Sequence, residues 1–349
     1  MTSPPHAEPA GPDQIVDEAV QGRPAPALRR YVAWYSGYRQ RGVAPMRHRG
    51  LPSPYLTLIL TLDDPLTVRA HPDPAAAPAE YRALLGGLHT SPALITHQGR
   101  QSGVQIALSP LGARVLLGLP AGELAGQDFA AEQVLGGWAG EGRERLCAAP
   151  DRPARFAAVD HWLLTRLLGA TRPSALSPEV VRAWRLLLDG GGRPSAAALA
   201  REVGWSGRHL AGRFRTEIGL TPKAAARVVR FDRARRLLAA RAVRPRRPVA
   251  GPMDLGEADP GSLYPGPMDL GAADPGAADP GAVDGGAVDG GAVDGGLGLA
   301  RLAAHCGYFD QAHLAREFRA LAGCPPSRWL AEEVLGSPAA AGPVAAGGS

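Results

Sequence analysis

The chain has 349 residues, 45% hydrophobic and 20% charged, with 38 Lys and Arg against 33 Asp and Glu for a net +5 at pH 7. That length suits two ordinary domains, and no stretch reaches the roughly 18 consecutive apolar residues that a membrane-spanning helix needs, so no membrane partner is expected. Cys147, Cys306 and Cys324 share no metal-ligand spacing and suit a reducing compartment.

Residues 1–27, rich in Pro and Ala, read as a disordered tail. They lack the basic start and apolar centre of a secretory signal, so a cytoplasmic protein is expected. Residues 28–172 can hold one independent core and are expected to form a sensing or dimerisation domain. YLTLILTL (Tyr55–Leu62), LTVRA (Leu66–Ala70) and VQIAL (Val104–Leu108) carry strand patterns, with Asp63-Asp64-Pro65 as a turn. Helical patterns follow near Ala113, in AAEQVLGG and GRERLCAA, and from Arg152 in RPARFAAVDHWLLTRLL. Strands followed by helices predict an α+β domain, a small barrel-like sheet with helices packed behind it. His48, His89 and His97 lie near these strands without the paired spacing and carboxylate of a cupin metal site, so loop or core histidines and no metal are expected. Trp34, Tyr35, Tyr38 and Tyr55 are pocket candidates, although ordinary core accounts for them equally.

The most informative feature is a repeat. LAREVGWSGRHLAGRFRTEIGLTP (199–222) is rewritten as LAAHCGYFDQAHLAREFRALAGCPP (302–326). Leu199, Ala200 and Gly204 match Leu302, Ala303 and Gly307 at one offset; Leu210, Phe214, Gly219 and Pro222 match Leu314, Phe318, Gly323 and Pro326 at an offset one larger. A repeated supersecondary unit outweighs any single residue. Ala200 and Ala303 let two helices approach, Gly204 and Gly307 supply a left-handed turn, and Ser206 and Asp310 cap the helix that follows. The apolar stripes Leu210–Phe214–Ile218 and Leu314–Phe318–Leu321 leave the opposite faces free. Each copy therefore reads as a helix-turn-helix. Between Ser174 and Val249, 17 Arg and Lys face five acids, a local +12; such a basic helical module is suited to phosphate. The second copy is balanced, with four Arg and four acids between Leu297 and Val334.

These motifs, with RFDRARRLL at 230–238, resemble the two-module DNA-binding domain of the AraC/XylS family of bacterial transcription regulators. The resemblance places module one at 175–221, a joining helix at 222–241 and module two at 299–335, an all-α bipartite helix-turn-helix domain. It implies that the second helix of each module enters adjacent major-groove segments of double-stranded promoter DNA. Matching positions make Arg208, Ala211 and Gly212, and Gln311, Ala312 and Arg316, the base-reading candidates. Ser206, Arg213, Arg215 and Arg319 are phosphate candidates. Ala211 and Gly212 carry no donor, which leaves a second reading open: a degenerate relative that acts through its N-terminal domain without reading sequence. The N-terminal layout resembles that of some family members whose N-terminal halves bind small effectors, dimerise, or both. A small-molecule effector and a second copy of the chain are therefore candidate partners, with RNA polymerase added if the protein is an activator.

Between joining helix and module two lies an insertion, 248–298, built on GPMDLG, GAADP and GAVDG steps, with nine acids and no base. Its Gly, Pro, Ala and Asp offer almost nothing to bury, so disorder is expected; a calcium β-roll would need a nine-residue period instead. A second disordered tail is expected at 336–349. HExxH, GxSxG, phosphate-loop and CxxC motifs are all missing, so neither an enzyme nor a cofactor is expected. If the acidic insertion competes with DNA for the basic module, deleting residues 250–296 will tighten binding to random duplex at low salt; unchanged affinity in the same titration contradicts that competition.

Overall fold

The computed structural model describes residues 15–169, 176–243 and 298–335. The expected tail at 336–349, the first part of the one expected at 1–27, and the insertion up to residue 297 lie outside the described residues.

Among the described residues, the N-terminal region contains ten strands: β1 (Val16–Gly22), β2 (Val32–Arg41), β3 (Met46–Gly50), β4 (Leu56–Thr61), β5 (Leu66–Ala70), β6 (Ala79–Tyr81), β7 (Ala83–Gly86), β8 (Ala93–His97), β9 (Arg100–Leu108) and β10 (Asp128–Ala130). They form two antiparallel sheets, ordered β1-β2-β9-β4-β7-β10 and β3-β8-β5-β6. Among the described residues this region also holds α1 (Ala113–Leu116), between β9 and β10, and then α2 (Ala131–Leu135), α3 (Gly137–Ala148) and α4 (Arg152–Gly169). Alternation along β4 explains the layering. Leu56, Leu58 and Leu60 enter the core shared with Trp162 and Leu163 of α4, while Ile59 points the other way, toward Val68 and Ile95 of the second sheet. The α+β expectation of a small sheet structure backed by helices describes this layout.

The predicted tail is corrected at its end. Residues 16–22 form β1, paired along its whole length with β2. An edge strand needs only the backbone of its neighbour, so its largely exposed side chains, Glu18 and Gln21 among them, carry no apolar alternation to read. Gly22 and Gly37 are bare because the Phe156 ring of α4 lies on them; a Cβ on Gly22 would meet that ring at 2.7 Å. Asp160 of α4 completes the attachment, accepting hydrogen bonds from the Tyr35 hydroxyl at 2.8 Å and the Ala25 amide at 2.9 Å.

The C-terminal region is helical: α5 (Pro178–Asp189), α6 (Ala196–Glu202), α7 (Gly207–Ile218), α8 (Pro222–Val243), α9 (Leu299–His305), α10 (Gln311–Ala322) and α11 (Pro326–Trp329). One apolar core runs through it, joining Trp184, Phe214 and Ile218 to Phe231, Phe318, Leu321 and Trp329. Leu88 and Leu111 of the N-terminal region belong to the same core. Among the described residues, no helix is long and apolar enough to cross a membrane.

Ion pairs hold the two regions together at separate places. Arg114 of α1 donates Nε and Nη2 hydrogen bonds to both oxygens of Glu217 in α7, at 2.8 and 3.0 Å. Arg49 of β3 bonds Glu332 and Glu333 beyond α11, each at 2.8 Å. Glu217 is 3% exposed and Arg114 is 23% exposed, so losing one partner is not equivalent to losing the other. Arg114→Ala strands a buried carboxylate with only Arg213 nearby, at 3.7 Å, and should cost roughly 3 kcal/mol. Glu217→Ala leaves an arginine that can reach water and should cost about 1 kcal/mol. Urea unfolding of the two variants checks the order; equal losses would contradict it.

Candidate nucleic-acid interface

Each half of the repeat builds the same local structure from the same residue types. In module one, α6 ends at Gly204 (φ 72°), whose amide donates to Arg201 O at 3.1 Å while the Trp205 amide donates to Ala200 O at 2.9 Å. Module two repeats both bonds, Gly307 (φ 77°) to Ala304 O at 3.1 Å and Tyr308 to Ala303 O at 2.9 Å. A Cβ is strained at that φ, which is why glycine stands at both turns. Ser206 Oγ then accepts from the His209 amide at 3.2 Å, and Asp310 Oδ1 from the His313 amide at 2.6 Å, as the N-caps of α7 and α10. Gly219 (φ 97°) and Gly323 (φ 72°) close the two helices in the left-handed conformation.

Burial divides each second helix as the stripes require. Ala200, Leu210 and Phe214 are buried in module one, and Ala303, Leu314 and Phe318 in module two. The face opposite is open: Ser206, Arg208, Gly212, Arg213 and Arg215 on α7, and Gln311, Ala312, Arg316 and Arg319 on α10, are exposed, with Ala211 half-buried. Among the described residues, no ion pair ties Arg208, Arg215, Arg316 or Arg319 to an acid, whereas Arg213 lies 3.7 Å from Glu217. A Cβ on Gly212 would meet nothing within 4 Å. Packing therefore does not demand glycine there, and this part of α7 offers only backbone to a partner.

The joining helix binds the modules into one body. Arg227 of α8 donates to Glu317 of α10 at 2.7 Å, and Phe231 meets Phe318 edge-on with centroids 4.9 Å apart. Trp184 of α5 packs on Phe214 at 5.9 Å. On α8, Ala225, Val228, Val229 and Leu238 are buried and Leu237 is half-buried. Asp232 is buried too, held by Arg235 at 2.6 Å and Arg236 at 2.7 Å. The Arg227–Glu317 bridge was not visible in the sequence, because residues ninety apart announce no pairing.

The effector candidates do not gather into one pocket. Tyr35 faces the α4 side, Tyr38 packs with the core between the sheets, and Tyr55 lies near Asp232 and Arg236 of α8, where burial raises its hydroxyl to about 12. His48 and His97 do meet, diagonal neighbours on β3 and β8 with ring centroids 6.2 Å apart. His89 stands apart, its Nδ1 2.5 Å from Ser91 O. Among the described residues, no group of three His, Cys, Asp or Glu is placed to hold a metal ion.

Comparisons with known proteins fall on both regions. Residues 21–130 match the model of a family described as a domain of unknown function, DUF6597. No curated protein sequence matches the chain. Among solved structures, ToxT from Vibrio cholerae is similar at 10% identity with a TM-score of 0.41, over 85% of this chain and 96% of that one. Wild-type ToxT bound to an unsaturated fatty acid is similar at 8% identity with a TM-score of 0.41, over 86% and 95%. The AraC-like transcriptional activator CuxR is similar at 14% identity with a TM-score of 0.23, over 56% and 80%.

Burial between the sheets, and then the neighbouring His97, lower His48 to about 4. A histidine depressed below its unfolded value of about 6.5 contributes stability that is complete above that value and fades as the pH falls toward 4. Unfolding free energy should therefore rise between pH 4 and 6.5, by roughly 3 kcal/mol from this group. His48→Phe should flatten part of that rise in urea titrations; a variant with the wild-type slope would contradict the assignment.

Proposed function

We propose that the chain is a sequence-specific DNA-binding transcription regulator of the AraC/XylS type, working in the bacterial cytoplasm, whose α7 and α10 read adjacent major-groove segments. The observation that carries this reading is the pair of like-built second helices, each capped and closed in the same way and each exposing its polar face, locked to one joining helix. At 22 residues and 1.5 Å per residue, α8 is about 33 Å long, enough to keep two readers roughly one turn of duplex apart.

In this reading Arg208 and Arg316 face guanine edges and Gln311 an adenine, while Ala211, Gly212 and Ala312 allow close approach. Arg213, Arg215 and Arg319, with the Ser206 hydroxyl, hold phosphates, and the +12 of residues 174–249, most of it from Lys223 onward, supplies most of the salt-dependent attraction. The N-terminal region is then the sensing part, a candidate for a small effector or a second copy, and RNA polymerase becomes a partner if the protein activates. The bare face at Ala211 and Gly212 favours a second reading, in which sequence reading has been lost and that region acts alone.

Arg316→Ala distinguishes the roles. A base contact predicts a loss of roughly 1–3 kcal/mol on a selected duplex with little change on random DNA. Equal losses on both would make it a phosphate contact. Wild-type protein that binds every duplex alike would favour the second reading.

A further inference from the structure

The two modules differ by one residue in the turn, and that residue has an unusual fate. Three residues, Gly204-Trp205-Ser206, lead from α6 to the N-cap of α7; four, Gly307-Tyr308-Phe309-Asp310, lead from α9 to the N-cap of α10. Ring contacts show which is the extra one. Trp205 sits edge-on to His209 at 4.5 Å, and Tyr308 sits edge-on to His313 at 5.3 Å. Tyr308 is thus the counterpart of Trp205, and Phe309 has none.

Tyr308 is 4% exposed, whereas Phe309 is 92% exposed. Its backbone is fixed, the amide donating to His313 Nδ1 at 3.3 Å, so the outward ring stands on an ordered turn. Among the described residues of the helical region it is the only large apolar side chain exposed. A chain that buries Phe214, Phe231 and Phe318 completely, or nearly so, has here placed a phenyl ring in water, at the entrance of the helix next to exposed Gln311 and Ala312.

The first residues of a recognition helix are those that come nearest the base edges. The major groove offers an aromatic ring one apolar feature, the C5-methyl of thymine. Resting on the DNA-reading role of α10, we propose that Phe309 is a specificity residue that packs on a pyrimidine C5-methyl in the half-site read by module two. The inserted residue gives module two an apolar reader that module one lacks.

The full-length protein is first used to select bound duplexes from a random pool. If no sequence is enriched, DNA reading itself fails and this inference falls with it. If a site emerges, each thymine in it is replaced in turn by uracil, which removes only the methyl. One such replacement should weaken wild type about fourfold, the value of one buried methyl group. Phe309→Ala should bind the thymine and uracil versions equally, and the uracil version as well as wild type does. If no uracil replacement weakens wild type, or if Phe309→Ala keeps the thymine preference, the proposal is overturned. Equal weakening of the variant on both versions also overturns it, placing the ring on a sugar instead.

Discussion

Module two is held in place by one face of α8. Phe318 of α10 lies between Phe231 and Trp329, at 4.9 and 5.5 Å, and Glu317 reaches back to Arg227 at 2.7 Å. Everything proposed about two coordinated readers depends on that joint, because more than fifty residues of sequence separate the end of α8 from the start of α9. Magnitudes favour docking. Lengthening a loop tenfold adds only about 2 kcal/mol of closure entropy, while burying one large apolar side chain contributes roughly 1.5–3 kcal/mol. Module two buries several, Leu302, Leu314, Phe318, Leu321 and Trp329 among them.

The same balance extends to the N-terminal region. Arg114 bonds Glu217 near the end of α7, and Arg49 bonds Glu332 and Glu333 after α11, so each module is attached to the sheet domain by its own pair. Close packing reinforces the first attachment: a Cβ on Gly122 would come within 2.3 Å of the Thr216 carbonyl oxygen. A change in the sheet domain that moved α1 or β3 would therefore pull on α7 and on the segment after α11 through short, partly buried contacts.

How much of this was legible depended on how each element meets its neighbours. LTVRA announced β5 exactly because it is bounded by turn residues, and LTLILT announced β4 as an apolar run because that strand is buried on both faces. VAWYSGYRQR of β2 and MRHRG of β3 carry polar residues on half-open faces, and no period in those segments betrays them. The helical repeat was the clearest signal, since glycine turns, caps and stripes had to agree twice. Its single-residue step in offset was also on view, yet only the ring contacts of Tyr308 identify Phe309 as the residue it adds. Long-range pairs such as Arg227–Glu317 and Arg114–Glu217 had no local signature at all.

The central claim is that α8 fixes both recognition helices on one side of a duplex. Hydroxyl-radical footprinting of the full-length protein on a selected duplex tests it most directly. The account predicts two protected patches on the same face of the DNA, about ten base pairs apart. A single patch, or two patches on opposite faces, would mean that the modules do not act as one body.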